Sequence, residues 1–85
     1  MKIIETRVMY EGEIKLVYTL VQEGKAYGLK IESASDFYRY IYVDDVTRDF
    51  NKAMEILNLF ADNTVFPENT LEVFDDLLGE GKLVV

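Results

Sequence analysis

Asp44-Asp45-Val46-Thr47 divides two rhythms in this chain. Upstream of it, apolar side chains recur at every second position, as at Ile14, Leu16, Tyr18 and Leu20. Downstream, Phe50, Ala53, Met54, Leu57, Phe60 and Ala61 recur every three to four. The first period belongs to a half-buried strand and the second to one stripe of a helix. The sequence therefore predicts an α+β fold, a four-stranded antiparallel meander sheet followed by two helices packed on one face. The expected strands are about 2–10, 14–22, 25–32 and 37–43, and the expected helices about 48–62 and 69–78, all in one domain, 1–85.

Two Glu-Gly steps, Glu11-Gly12 and Glu23-Gly24, separate the alternating runs and read as hairpin turns. A three-residue loop, Glu11-Gly12-Glu13, would set Tyr10 opposite Ile14, Val8 opposite Leu16 and Ile4 opposite Leu20. A two-residue loop would move charged side chains onto that face, so the longer loop is expected. In the second hairpin, Glu23-Gly24 as the loop would place Leu20 against Tyr27 and Tyr18 against Leu29. In the fourth strand, aliphatic burial favours Phe37, Ile41 and Val43 inside with Arg39. Tyr38, Tyr40 and Tyr42 then lie outside, with Tyr40 as the candidate cover for Gly28.

Thr47 is the expected N-cap of the first helix, and Asn63 its end. Pro67 and an approximate capping box, Asn69 with Glu72, introduce the second helix. Its apolar side is expected to be Leu71, Phe74, Leu77 and Leu78, with Val73 added. Lys82-Leu83-Val84-Val85 reads either as a frayed tail or as a short edge strand.

Eighty-five residues make a thin core, and 49% apolar composition makes it a globular one. Sixteen acidic against nine basic side chains leave a net charge of −7. Such a charge repels phosphate backbones and anionic lipid, so neither nucleic acid nor membrane is an expected partner. The N-terminal Met1-Lys2-Ile3-Ile4-Glu5 lacks the apolar core of a signal peptide, and no run approaches a membrane span. The expectation is an intact, soluble, cytoplasmic protein.

With no His and no Cys, neutral-pH general bases and thiolate chemistry are missing, and Ser33 and Ser35 have no imidazole partner. No Gly-rich phosphate loop is present. No catalytic residue, cofactor or metal is expected, and the chain reads as a non-enzyme. The carboxylates Asp44, Asp45 and Asp49 form one acidic cluster, and Glu72, Asp75 and Asp76 another. A carboxylate at Asp49 suits the first turn of a helix, while Glu72, Asp75 and Asp76 suit a solvated helix face.

The order Tyr27-Gly28-Leu29-Lys30-Ile31, then Val46-Thr47 before a helix, then Pro67 with Leu71, Val73 and Asp75, resembles a family of small uncharacterised proteins from clostridia and related Firmicutes. The resemblance spans Lys2 to Leu78. It implies a cytoplasmic bacterial domain of unknown function and brings no catalytic or binding residues with it.

Three functions compete. The first is a non-enzymatic protein–protein interaction or regulatory module. Its surface would be Val17, Thr19, Val21, Gly28, Tyr38, Tyr40 and Tyr42 on the open sheet face, and its partner another protein or a second copy in a homodimer. The alternative is a small-ligand or metal binder, or a carboxylate-dependent enzyme, using Asp44, Asp45 and Asp49 with Arg48 at a pocket rim. The third is an acidic mimic of nucleic acid, which requires the charges to line one face. The basic residues, spread along the chain, weaken that reading.

Overall fold

Gly12 and Gly24 both adopt φ +60° and close the first two hairpins. In the computed structural model, which describes residues 1–79 and their side chains as far as Asp76, four strands form one sheet in sequence order. They are β1 (Lys2–Glu11), β2 (Ile14–Glu23), β3 (Ala26–Ala34) and β4 (Tyr38–Thr47). Helix α1 (Phe50–Asp62), a 3-10 turn at Pro67–Asn69 and helix α2 (Thr70–Gly79) follow. The antiparallel meander with two helices is the architecture expected. Residues 82–85 and the side chains of Leu77 and Leu78 lie outside the described residues.

The first hairpin corrects the expected register. Its loop is two residues, Gly12-Glu13, with Glu11 opposite Ile14, Met9 opposite Leu16 and Arg7 opposite Tyr18. Positive φ at the first loop position alone is the type II′ pattern, whose twist matches that of paired strands. The price is hydrophobic pattern: Val8 and Tyr10 turn outward, and Arg7 turns inward. This is tolerable because β1 is an edge strand only lightly covered by α1, so burial has little leverage over its register. A bulge between Ile3 and Glu5 then restores one apolar residue. Without it Ile4 would point outward; with it Ile4 packs on the core.

The second hairpin also turns one residue later than expected, at Gly24-Lys25. Leu20 pairs with Leu29, Tyr18 with Ile31 and Leu16 with Ser33. That shift moves each partner by two positions, so every side chain keeps its face. The core therefore contains the β2 and β3 residues anticipated: Leu16, Tyr18, Leu20, Tyr27, Leu29 and Ile31. From α1 it takes Ala53, Ile56, Leu57, Phe60 and Ala61, with Val65 beyond the helix. Each large apolar side chain removed from water here contributes roughly 1.5–3 kcal/mol.

Strand β4 runs four residues further than expected, through the stretch that divides the two rhythms. Asp44 and Asp45 form an irregularity there, since Leu29 pairs with Val43 but Tyr27 pairs with Thr47. Asp45 takes φ +48°, a conformation Asp tolerates better than most residues. Ile41, Val43 and Arg39 share the inner side, as expected, because they pair with Ile31, Leu29 and Ser33. Phe37 does not join them: it precedes the strand and is exposed.

Helix α1 starts at Phe50 with Asp49, not Thr47, as its N-cap. The Asp49 carboxylate accepts from the Lys52 amide at 2.9 Å, while the Thr47 hydroxyl accepts from the Asp49 amide at 3.2 Å. The helix closes at Asn63 as expected. The Thr64 amide donates to the Ala61 carbonyl and the Val65 amide to that of Phe60, a Schellman arrangement. Its left-handed residue is Thr64, at φ +46°. Beyond it, the buried Thr70 hydroxyl donates to the Phe66 carbonyl at 3.1 Å, and the Asn69–Glu72 box is replaced by the 3-10 turn. In α2, Val73 and Phe74 pack on the core, with the Phe74 ring 4.7 Å from that of Phe60. Leu71, expected inside, is exposed. The 3-10 turn places it on the outer side.

Candidate functional site

Helix α1 and the 3-10 turn pack on one side of the sheet, α2 joins that side through Phe74 against Phe60 of α1, and the other side is open. Alternation from the buried Leu16, Tyr18 and Leu20 places Lys15, Val17, Thr19 and Val21 on the open side of β2. Pairing adds Gly28, Lys30 and Glu32 from β3. Tyr42, Tyr40 and Tyr38 of β4 stand opposite Lys30, Glu32 and Ala34. All seven residues expected to form an interaction surface share this face.

They do not play equal parts. Tyr42 lies across β3, with its hydroxyl donating to Glu23 of β2 at 2.9 Å. A Cβ on Gly28 would come within 2.5 Å of that hydroxyl, so the missing side chain is what admits the ring. Tyr42, rather than Tyr40, covers Gly28. Thr19, Val21 and Gly28 are consequently a shielded floor, and Val17 is half-buried.

Tyr38 and Tyr40 stand above this floor, 58% and 62% exposed. The Tyr38 hydroxyl donates to Glu32 at 2.6 Å. Lys30 reaches toward the same carboxylate at 3.9 Å and lies 5.4 Å from the Tyr40 ring centroid. The two rings are tilted neighbours, 6.0 Å apart. These contacts orient the tyrosines without burying them. Burial, the Glu23 hydrogen bond and the negative charges of Glu23 and Asp44 push the Tyr42 phenol up to about 12. The hydrogen bond to Glu32 raises that of Tyr38. Both are neutral hydrogen-bond donors at ordinary pH, the opposite of activated nucleophiles.

The far edge of the face is β1, where Val8 and Tyr10 depart from their expected inward positions. Ile3, Val8 and Tyr10 of β1 are exposed there, on the same side as Val21, Val17 and Lys15 opposite them. The three-residue loop expected from the sequence puts Val8 and Tyr10 on the core side, opposite Leu16 and Ile14. Gly12 was the available signal, since glycine at the first of two loop positions selects a type II′ turn and hence this register.

Asp44, Asp45 and Asp49 do not converge. The first two shape the β4 irregularity and the third caps α1. Among the described residues no group of three or more carboxylates is placed to hold a metal ion. The grooves beside Arg39 lie elsewhere. One, of about 540 Å³, runs along Tyr38–Ile41 against Pro67 and Glu68, and a smaller one, of about 210 Å³, lies between Ile14, Ser33, Phe37 and Phe66.

Charge is divided between the layers. Residues 1–48 contain eight acidic and seven basic side chains, whereas residues 49–79 contain seven acidic and one basic. The helical layer thus carries nearly all of the net negative charge. Glu68, Leu71, Glu72, Asp75 and Asp76 are all exposed on it.

A family of unknown function, DUF6514, matches residues 2–80. The chain belongs to this family. DUF6514 membership spans the sheet and both helices and assigns no activity to them. No curated protein and no solved structure matches the chain. Among the described residues no helix is long and apolar enough to cross a membrane.

Proposed function

We propose that this DUF6514 chain is a non-enzymatic interaction or regulatory module of the bacterial cytoplasm, binding a protein through its open sheet face. One observation carries the reading. A continuous side of the sheet ends in exposed Tyr38 and Tyr40 at one edge and in exposed Ile3, Val8 and Tyr10 at the other. Exposed apolar patches of this kind mark association surfaces, and tyrosine supplies contact area together with a polar handle. The reading requires no cofactor, nucleic acid or membrane. The alternative, a metal or small-ligand site at Asp44, Asp45 and Asp49, gains no support from side chains already engaged in shaping a strand and capping a helix.

Affinity purification from the native host, with wild type and Tyr40→Glu side by side, tests the proposal. The expected result is a protein recovered by wild type and lost by the variant. Identical recoveries from both would remove the sheet face from consideration.

A further inference from the structure

We infer that the occupant of the open face is a second copy of this chain, packed sheet against sheet. This rests on the interaction reading above and names its partner. Charge is the first argument. A protein of net −7 resists self-association wherever its charge is concentrated, and here that is the helical layer. The sheet half is one charge from neutral. Face-to-face packing turns the two acidic layers outward. With roughly 10 Å between packed sheets and about as much again from each sheet to its helices, those layers end up about 30 Å apart. This is more than three Debye lengths at physiological salt, each about 8 Å. A helix-to-helix contact would instead press the acidic layers together.

Area is the second argument. Four strands of nine or ten residues make the sheet, which is about 33 Å along the strands and about 19 Å across them. That face is on the order of 600 Å² in projection and more with its side-chain relief, near the about 800 Å² that each partner gives to a standard interface.

Relief is the third. The exposed Tyr38–Tyr40 ridge stands beside a floor where Tyr42 occupies the space left by Gly28 and Thr19 and Val21 are shielded. A two-fold axis lets each copy's ridge occupy the other's trough, the self-complementary geometry of an isologous dimer. Lys30 and Glu32, at the foot of the ridge, supply opposite charges to both sides.

Sedimentation velocity from micromolar to millimolar protein tests this, with far-UV circular dichroism to confirm folding. Wild type is expected to shift from monomer to dimer mass. Tyr40→Glu should raise the dimer dissociation constant at least roughly tenfold, the scale of a lost interface anchor. Tyr38→Ser is the second probe should Tyr40→Glu fail to fold. Leu71→Glu, on the exposed side of α2, should leave the dimer intact. A dimer broken by Leu71→Glu but not by the tyrosine variants would overturn the inference. A wild type that stays monomeric throughout would overturn it too. In that case, a host protein captured by wild type and lost by Tyr40→Glu would leave the broader interaction reading standing. Loss of neither would end both.

Discussion

Arg7 of β1 and Asp62 of α1 meet at 3.0 Å, joining the outer strand of the sheet to the end of the first helix. The same guanidinium donates to the Asn58 side chain at 3.0 Å. Arg7 is on the core side only because the first hairpin has a two-residue loop. The clamp is therefore a consequence of turn geometry, formed at a position an apolar residue would otherwise fill.

Asp62 is largely exposed, so the ion pair itself is worth little. Asp62→Ala is expected to cost under about 1 kcal/mol, and less as salt is raised. Arg7→Ala should cost more, about 1–2 kcal/mol, because the Arg stem covers apolar surface beside the buried Tyr18. Urea titrations of both variants and the double mutant check this. Equal costs would mean that the charge pair, not the stem, is what stabilises.

Gly28 and Tyr42 should show strong coupling. Gly28→Ala must displace the Tyr42 ring and its hydrogen bond to Glu23, and is expected to destabilise by about 1 kcal/mol. In a Tyr42→Ala background the clash is gone, and alanine then gains its usual advantage over glycine within a strand. Gly28→Ala should become neutral or stabilising there. Ultraviolet titration of Gly28→Ala should also show one tyrosine returning from about 12 toward its ordinary value. An unchanged sign of effect in the two backgrounds would rule out the ring as the obstacle.

Alkaline stability is set in part by Tyr18. Its hydroxyl is fully buried and donates to the Val65 carbonyl at 2.9 Å. Burial pushes its phenol up to about 12, against a modest opposing pull from Arg7. The folded value lies above the unfolded one, near 10, so the neutral phenol favours the fold. That contribution is whole below pH 10 and is lost as pH rises from about 10 to 12. Tyr18→Phe should lower stability at neutral pH by about 1–2 kcal/mol, since the Val65 carbonyl loses its partner. It should also flatten the decline between pH 10 and 12. Parallel declines in the two proteins would point to other groups.

Thr64 carries a removable strain. A β-branched residue in the left-handed region costs about 1–2 kcal/mol, and the residue after a helix C-cap is where glycine is favoured. Thr64→Gly is expected to gain up to about 1 kcal/mol after allowing for the entropy glycine adds to the unfolded chain. Thr64→Asn avoids that entropy and should raise Tm at least as much. A lower Tm for both variants would show that the Thr64 side chain supports the turn.

Local spacing made much of the molecule legible. Period two and period three to four depend only on near neighbours in the chain, so the order of strands and helices followed from the sequence. So did the inward aliphatics of β2 and β3, the outward tyrosines of β4 and the end of α1 at Asn63. Each is determined by a residue's own neighbours or by wholesale burial of one face. The tyrosine edge of the open face was legible for the same reason.

Interactions across the fold settled the rest. The register of β1 depended on a balance between turn twist and burial at a lightly covered edge, and the turn prevailed, carrying Val8 and Tyr10 outward and Arg7 to Asp62. The cap passed from Thr47 to Asp49 because β4 continued pairing with β3 through an irregularity at Asp44 and Asp45. The choice of Tyr42 over Tyr40 as cover for Gly28 turned on the reach of one ring to Glu23. The division of charge between the layers became visible only once the helices had been laid against one side of the sheet. Apart from the turn at Gly12, the deciding partners are distant in sequence, and alternatives one or two residues apart differ by amounts that only the assembled packing can rank.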